Sequence, residues 1–201
     1  MKTTLYFLIL ISILGCTNEN KSSICEDYLP AITTTGANTF GCCINGNLLI
    51  PRDGTGTFGG NDRGLKSYGD PTGNNQYVEF EIYDFKSQYS SNLEIHIQGI
   101  TQFGINTYTI NESNGMTDID GFNHTYLHCR VFDAQTNSYK YYRSFENSGI
   151  LKVTNYDFSN RIISCTFNCT VKNSVNSNDS IEIKNGRLDI KWDTLPNVIF
   201  P

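Results

Sequence analysis

The chain is 201 residues long, carries a formal net charge of −5 and contains seven cysteines. That acidic balance excludes nucleic acid or an anionic membrane surface as partner, since both call for clustered Lys and Arg. The length allows one sizeable core, and no break in composition calls for a second domain.

Met1-Lys2 is a short positive n-region, and residues 5–14 form an apolar stretch too short to span a membrane as a helix. Ile13-Leu14-Gly15-Cys16 follows directly and resembles the lipobox of bacterial lipoproteins. The resemblance implies cleavage between Gly15 and Cys16, diacylglycerol on the Cys16 thiol and acylation of its amino group. Several acyl chains make such an anchor effectively stable. The expected organisation is a signal peptide over 1–15, a lipidated cysteine and flexible tether over 16–28, and a folded domain over 29–201. The expected location is the cell envelope, lipid-anchored to the outer membrane and facing either the periplasm or the surface.

Residues 33–51, TTTGANTFGCCINGNLLIP, predict a β-hairpin. Phe40, Cys42 and Ile44 alternate on one face, and Asn45-Gly46 supplies two residues that tolerate positive φ. Pro51 stops the second strand. Residues 52–75 are rich in glycine and poor in apolar residues, which predicts a long surface loop. The glycines at 54, 56 and 59 match the dinucleotide fingerprint in form, but no helix pattern follows to receive a pyrophosphate. Short alternating strands then follow at 76–83, 93–98, 104–110, 125–132, 138–145, 150–156 and 162–172. A closing hairpin is expected over 181–192, turning at Asn185-Gly186. No window has sustained helical spacing, so the expected fold is all-β: a single antiparallel β-sandwich. A transmembrane barrel would need an apolar outer face. Here Glu79, Glu81, Glu94, His96 and Lys152 occupy the polar face, which excludes it.

Residues 29–51, LPAITTTGANTFGCCINGNLLIP, resemble the opening motif of an uncharacterised family of Bacteroidetes lipoproteins: Leu-Pro, Thr-x-x-Gly-x-Asn-Thr-Phe-Gly-Cys, Asn-Gly, then a strand ending in Pro. The likeness returns in residues 161–167, RIISCTF, and 183–192, IKNGRLDIKW. The chain departs in having Cys165 where that family has glycine and Leu188 where it has phenylalanine. The resemblance implies a β-sandwich and carries no established activity.

Catalytic and metal-binding motifs are sparse. His96 is expected on the solvent side of its strand. His124 and His128, four apart on a strand, would lie about 13 Å apart and could not share a zinc. Asp118-Ile119-Asp120-Gly121 has the oxygen-rich character of a calcium loop, but reads more simply as a turn. Glu79 and Glu81 share a strand face about 6.6 Å apart, within glycosidase reach, as on many solvated strands. Tyr139 and Tyr141 share one face and form a candidate binding platform for sugar rings or a protein. Residues 179–181 and 193–195 resemble short Asp-Ser/Thr-apolar glycosylation sites. No catalytic residue, metal or cofactor is assigned.

Six cysteines remain beyond Cys16. Adjacent Cys42 and Cys43 face opposite ways, and Cys165 and Cys169 are too far apart along a strand to bond. Alternation turns Cys42, Cys129, Cys165 and Cys169 toward the core. Cys43 is left on the outside for Cys25 at the end of the tether. Any core bridge would join Cys42 to Cys165 or Cys169; otherwise the inward cysteines are small buried hydrophobes. The function expected from these features is a membrane-anchored, non-catalytic binding or structural module whose partner is a glycan or an envelope protein. The alternative is a glycan-acting hydrolase with carboxylates drawn from separate loops.

Overall fold

The computed structural model describes residues 25–56, 60, 62–70, 72 and 76–201. Gly15, Cys16 and the expected signal peptide and tether, as far as residue 24, lie outside the described residues, as does the 57–59 part of the glycine motif. Among the described residues there are eleven strands: β1 (Thr39–Ile44), β2 (Asn47–Leu49), β3 (Leu65–Asp70), β4 (Tyr77–Tyr83), β5 (Asn92–Gln98), β6 (Thr107–Ile110), β7 (Tyr126–Asp133), β8 (Ser138–Arg143), β9 (Gly149–Asp157), β10 (Ile162–Asn173) and β11 (Ser180–Lys191). Cys25 and Glu26 are helical, and a helical turn at Ile100–Phe103 and two 3-10 turns, Asp118–Asp120 and Leu195–Asn197, complete the regular elements among the described residues. No helix there is long and apolar enough to cross a membrane.

The fold is all-β and antiparallel, with the strands in one large sheet curled into a half-barrel. The order runs β2-β1-β11-β10-β8-β7-β5-β4-β3, with β9 and β6 branching from β10. The fork is built into β10. Its Ile162–Cys169 stretch pairs with β9, while Lys172 and Asn173 pair with β8. Both wings therefore leave one long strand, and their apolar faces meet in a single core that includes Phe40, Phe80, Ile95, Leu127, Leu151, Phe167 and Ile190.

The first hairpin forms as its residues dictate, with Asn45 and Gly46 at φ 49° and 76°. The closing segment differs from a hairpin. Residues 180–191 are one continuous strand pairing with β1 on one edge and β10 on the other, and Asn185-Gly186 forms a bulge that shifts both registers. Asn185 takes φ 54° and its N–H is capped by Asn168 Oδ1 at 2.8 Å, so the positive φ goes into bending the strand and not into reversing it. Residues 52–75 also differ from a bare surface loop, because Leu65–Asp70 pairs with β4 as the edge strand β3. Leu65 is buried in the core, and one such anchor with a paired backbone suffices to hold a strand that composition hides. Near the same point Arg52 makes a bidentate pair with buried Asp84, at 2.6 and 2.5 Å, and bridges it in parallel, drawing the end of β2 toward β4.

The N-terminal residues are fastened to the outside of β1. Cys25 and Cys43 are joined by a disulfide with Cα atoms 6.0 Å apart, and both are buried. Among the described residues, Cys25 is thus already packed against the strands. Of the two alternatives for the inward cysteines, a core bridge from Cys42 to Cys165 or Cys169 or plain buried thiols, the structure has the second. These three and Cys129 are free, buried thiols in the core, and burial raises the pKa of each. They fill apolar volume as small side chains.

Residues 33–37 are held by Asp189 of β11. Its buried carboxylate accepts from Thr33 Oγ1 (2.6 Å), the N–H groups of Thr35, Gly36 and Ala37 (2.8–3.0 Å) and Ser164 Oγ (2.7 Å). Asn38 continues the clasp, accepting from Lys191 N and donating to Thr194 Oγ1. The opening TTTGAN and closing NGRLD segments are therefore two halves of one structural joint.

Candidate recognition face and buried Glu–His network

The outward face of the β3-β4-β5-β7-β8 wing carries the chemistry. Every second residue of these strands points outward, and the registers align them in rows across the sheet. One row runs Tyr68, Glu79, His96, Tyr126; the next runs Lys66, Glu81, Glu94, His128, Arg143; a third runs Tyr83, Asn92, Arg130, Tyr141; a fourth holds Phe132 and Tyr139.

The first row is buried from Glu79 to Tyr126, with Tyr68 half-buried at its end. His96, expected at the solvent, is 2% exposed, and Glu79 and Tyr126 are fully covered. The reason is the segment between β6 and β7, which folds back over this end of the face. Asp118 N donates to Glu79, Tyr77 OH donates to Asp118, and Tyr126 OH donates to Met116 O at 3.1 Å. Beneath it His96 Nδ1 lies 2.7 Å from Glu79 Oε2 and Nε2 lies 3.1 Å from Gln98 Oε1. The imidazole is sandwiched between Tyr77 and Tyr126, with centroids 4.9 and 4.5 Å away and nearly parallel rings.

The second row lies at the margin of that cover. Glu81 accepts from Tyr68 OH at 2.7 Å and pairs with Lys66 at 3.3 Å. Glu94 pairs with His128 Nε2 at 3.5 Å, and His128 Nδ1 is 3.1 Å from Ser113 Oγ. The remaining Glu94 oxygen, Oε1, is buried without a partner, as is Arg130 Nε in the neighbouring row. These environments drive two carboxyls apart. Burial pushes Glu79 up, but hydrogen bonds from His96 and Tyr68, the His96 charge and the Asp118 N–H outweigh it and hold the group below the ordinary carboxylate value. Burial pushes Glu94 up as well, and there it prevails over His128, reinforced by the negative charges of Glu79 and Glu81.

The last two rows are open. Tyr139 and Tyr141 are 38% and 57% exposed on one side of β8. The Arg130 guanidinium lies 4.5 Å from the Tyr139 ring centroid, and Phe132 meets Tyr139 edge-on and Tyr89 face-on. The sequence-assigned platform is thus one rim of a larger array that also contains Glu79 and Glu81. The two histidines considered for a metal are not brought together: His124 lies ahead of β7 on Glu112 O, while His128 joins Glu94. Among the described residues no group of three or more His, Cys, Asp or Glu could hold a metal ion. The Glu79–His96 and Glu94–His128 pairs escape a linear reading, although polar residues at every second position in three strands, 77–83, 92–98 and 126–132, are their trace in the sequence. Compared with protein-family models, curated proteins and solved structures, the chain matches none.

Proposed function

We propose that this protein is a lipid-anchored module of the cell envelope, held through Cys16, that binds a glycan or an envelope protein without transforming it. The observation that carries this reading is the division of the outer face. The acids are already committed, Glu79 to His96 and the Asp118 N–H, Glu81 to Tyr68 and Lys66. The surface beside them is aromatic and cationic: Tyr139 and Tyr141 are exposed, and Tyr139 lies over the half-buried Arg130. Such surfaces stack on sugar rings and form the anchors of protein interfaces. Two measurements test the reading. Labelled palmitate should enter the wild type and not Cys16→Ala; equal labelling removes the anchor. On a glycan array and against envelope extracts, Tyr141→Ala should weaken binding about tenfold or more.

A glycan-acting hydrolase is the second reading, favoured by one observation. Glu79 is held toward its ionised form and Glu94 toward its neutral form on adjacent strands, the split that a base and an acid require. Turnover of a polysaccharide that Glu94→Gln abolishes would replace binding with catalysis.

A further inference from the structure

Where the edge strand β3 approaches the far ends of β10 and β11, the half-barrel leaves an open cleft of about 450 Å³ lined by Ser67, Tyr68, Phe158, Arg161, Trp192 and Asp193. Its walls are fixed from outside. Tyr68 is held by Glu81, and Trp192 is packed against the core with Tyr156 edge-on to it at 6.2 Å. The turn after β9 carries Phe158 and Arg161: Asp157 accepts from the Asn160 N–H at 2.9 Å and from its side-chain amide at 2.6 Å. Arg161 sits at φ 61°, a conformation that a long side chain rarely adopts, and its guanidinium lies 4.9 Å from the Phe158 ring centroid. Strain of this kind, retained beside a cleft, is a pointer to function.

We propose that this cleft binds a pyranose-type sugar unit of a glycan. A sugar ring presents C–H faces to the aromatic rings and hydroxyls to its edges, where Arg161 supplies donors and Asp193 acceptors. An acyl chain would match the rings but strip water from the Arg161 and Asp193 charges, a costly exchange. The volume falls within the range of small-ligand sites. The inference names a ligand class at a second place on the binding module. Tyr139 and Tyr141 stand on β8, four strand spacings from β3, or about 19 Å, so the two places are tested separately.

Trp192 is the only tryptophan of the chain, so its fluorescence reports on the cleft directly. The full chain in detergent is titrated with cellobiose, maltose, mannobiose and chitobiose, by fluorescence and by calorimetry. At least one should give a saturable change. Arg161→Gly, which removes the side chain and suits the positive φ, should keep the wild-type melting temperature or raise it while weakening that affinity about tenfold or more. Asp193→Asn, at an exposed position, should weaken it by a smaller factor, and Tyr141→Ala should leave it unchanged. Four flat titrations would overturn the proposal, as would an affinity that neither Arg161→Gly nor Asp193→Asn alters. Saturation of the Trp192 signal by sodium decanoate with no response to any sugar would assign the cleft to acyl chains instead. Failure at Tyr141 with success here would sink only the outer-face reading.

Discussion

Asp189 and Glu94 are both buried acids, and they respond to pH in opposite senses. Burial pushes the Asp189 carboxyl up, but its donors, Thr33, Ala37, Ser164 and Gly36 among them, outweigh that and hold it below the ordinary value. A depressed folded-state pKa contributes stability that is present above the unfolded carboxylate value and lost as pH falls through the folded one. Asp189→Asn should therefore cost about 2–3 kcal/mol at pH 7, with the deficit closing below about pH 4 in urea melts. Glu94 is raised, so its ionisation opposes folding: the cost is absent below the unfolded value and grows as pH rises through the folded one. Glu94→Gln should melt higher than wild type at pH 7, and the gain should vanish in acid. His96 lies between these cases. His96→Ala would leave Glu79 buried and without its nearest partner, and should destabilise by about 3 kcal/mol.

At the scale of the strand, the bulge in β11 shows how one local signal serves two structures. Asn45-Gly46 and Asn185-Gly186 are the same dipeptide, and both asparagines take a positive φ near 50°. The first closes a hairpin because β2 has only β1 to pair with; the second bends a strand that already has partners on both edges. Sequence pattern reads backbone preference but not the number of neighbours. For the same reason it recovers the alternation of β4, β5 and β7 and misses which side is covered. His96 alternates like a solvent-facing residue, and only the long-range return of residues 113–121 buries it. Edge strand β3 is hidden by its glycine-rich surroundings. At the bulge, a Cβ on Gly186 would come within 2.4 Å of the Phe167 ring. Gly186→Ala should cost about 2 kcal/mol in equilibrium denaturation, through displacement of that ring.

Over the whole molecule, the joints that close the half-barrel join residues far apart in the chain. Thr33 meets Asp189, Asn38 meets Lys191 and Thr194, and Arg63 reaches the Pro196 and Val198 carbonyls. The Cys25–Cys43 bond spans 18 residues within the first of these partners, and a loop of that size is worth about 3 kcal/mol. Reduction or Cys25→Ser should lower the melting temperature by roughly 6–12 °C. The pairing of β1 with β11 has a consequence for biogenesis. The earliest strand of the domain has to wait for the latest one, since β2 alone is too short to hold it. Until residues 180–191 are in place, β1 is left with a free edge and the half-barrel stays unclosed. A chain ending at residue 179 should accordingly remain open to protease in pulse-proteolysis even with its disulfide formed, whereas adding residues 180–201 as a separate peptide should restore protection by supplying the missing strand.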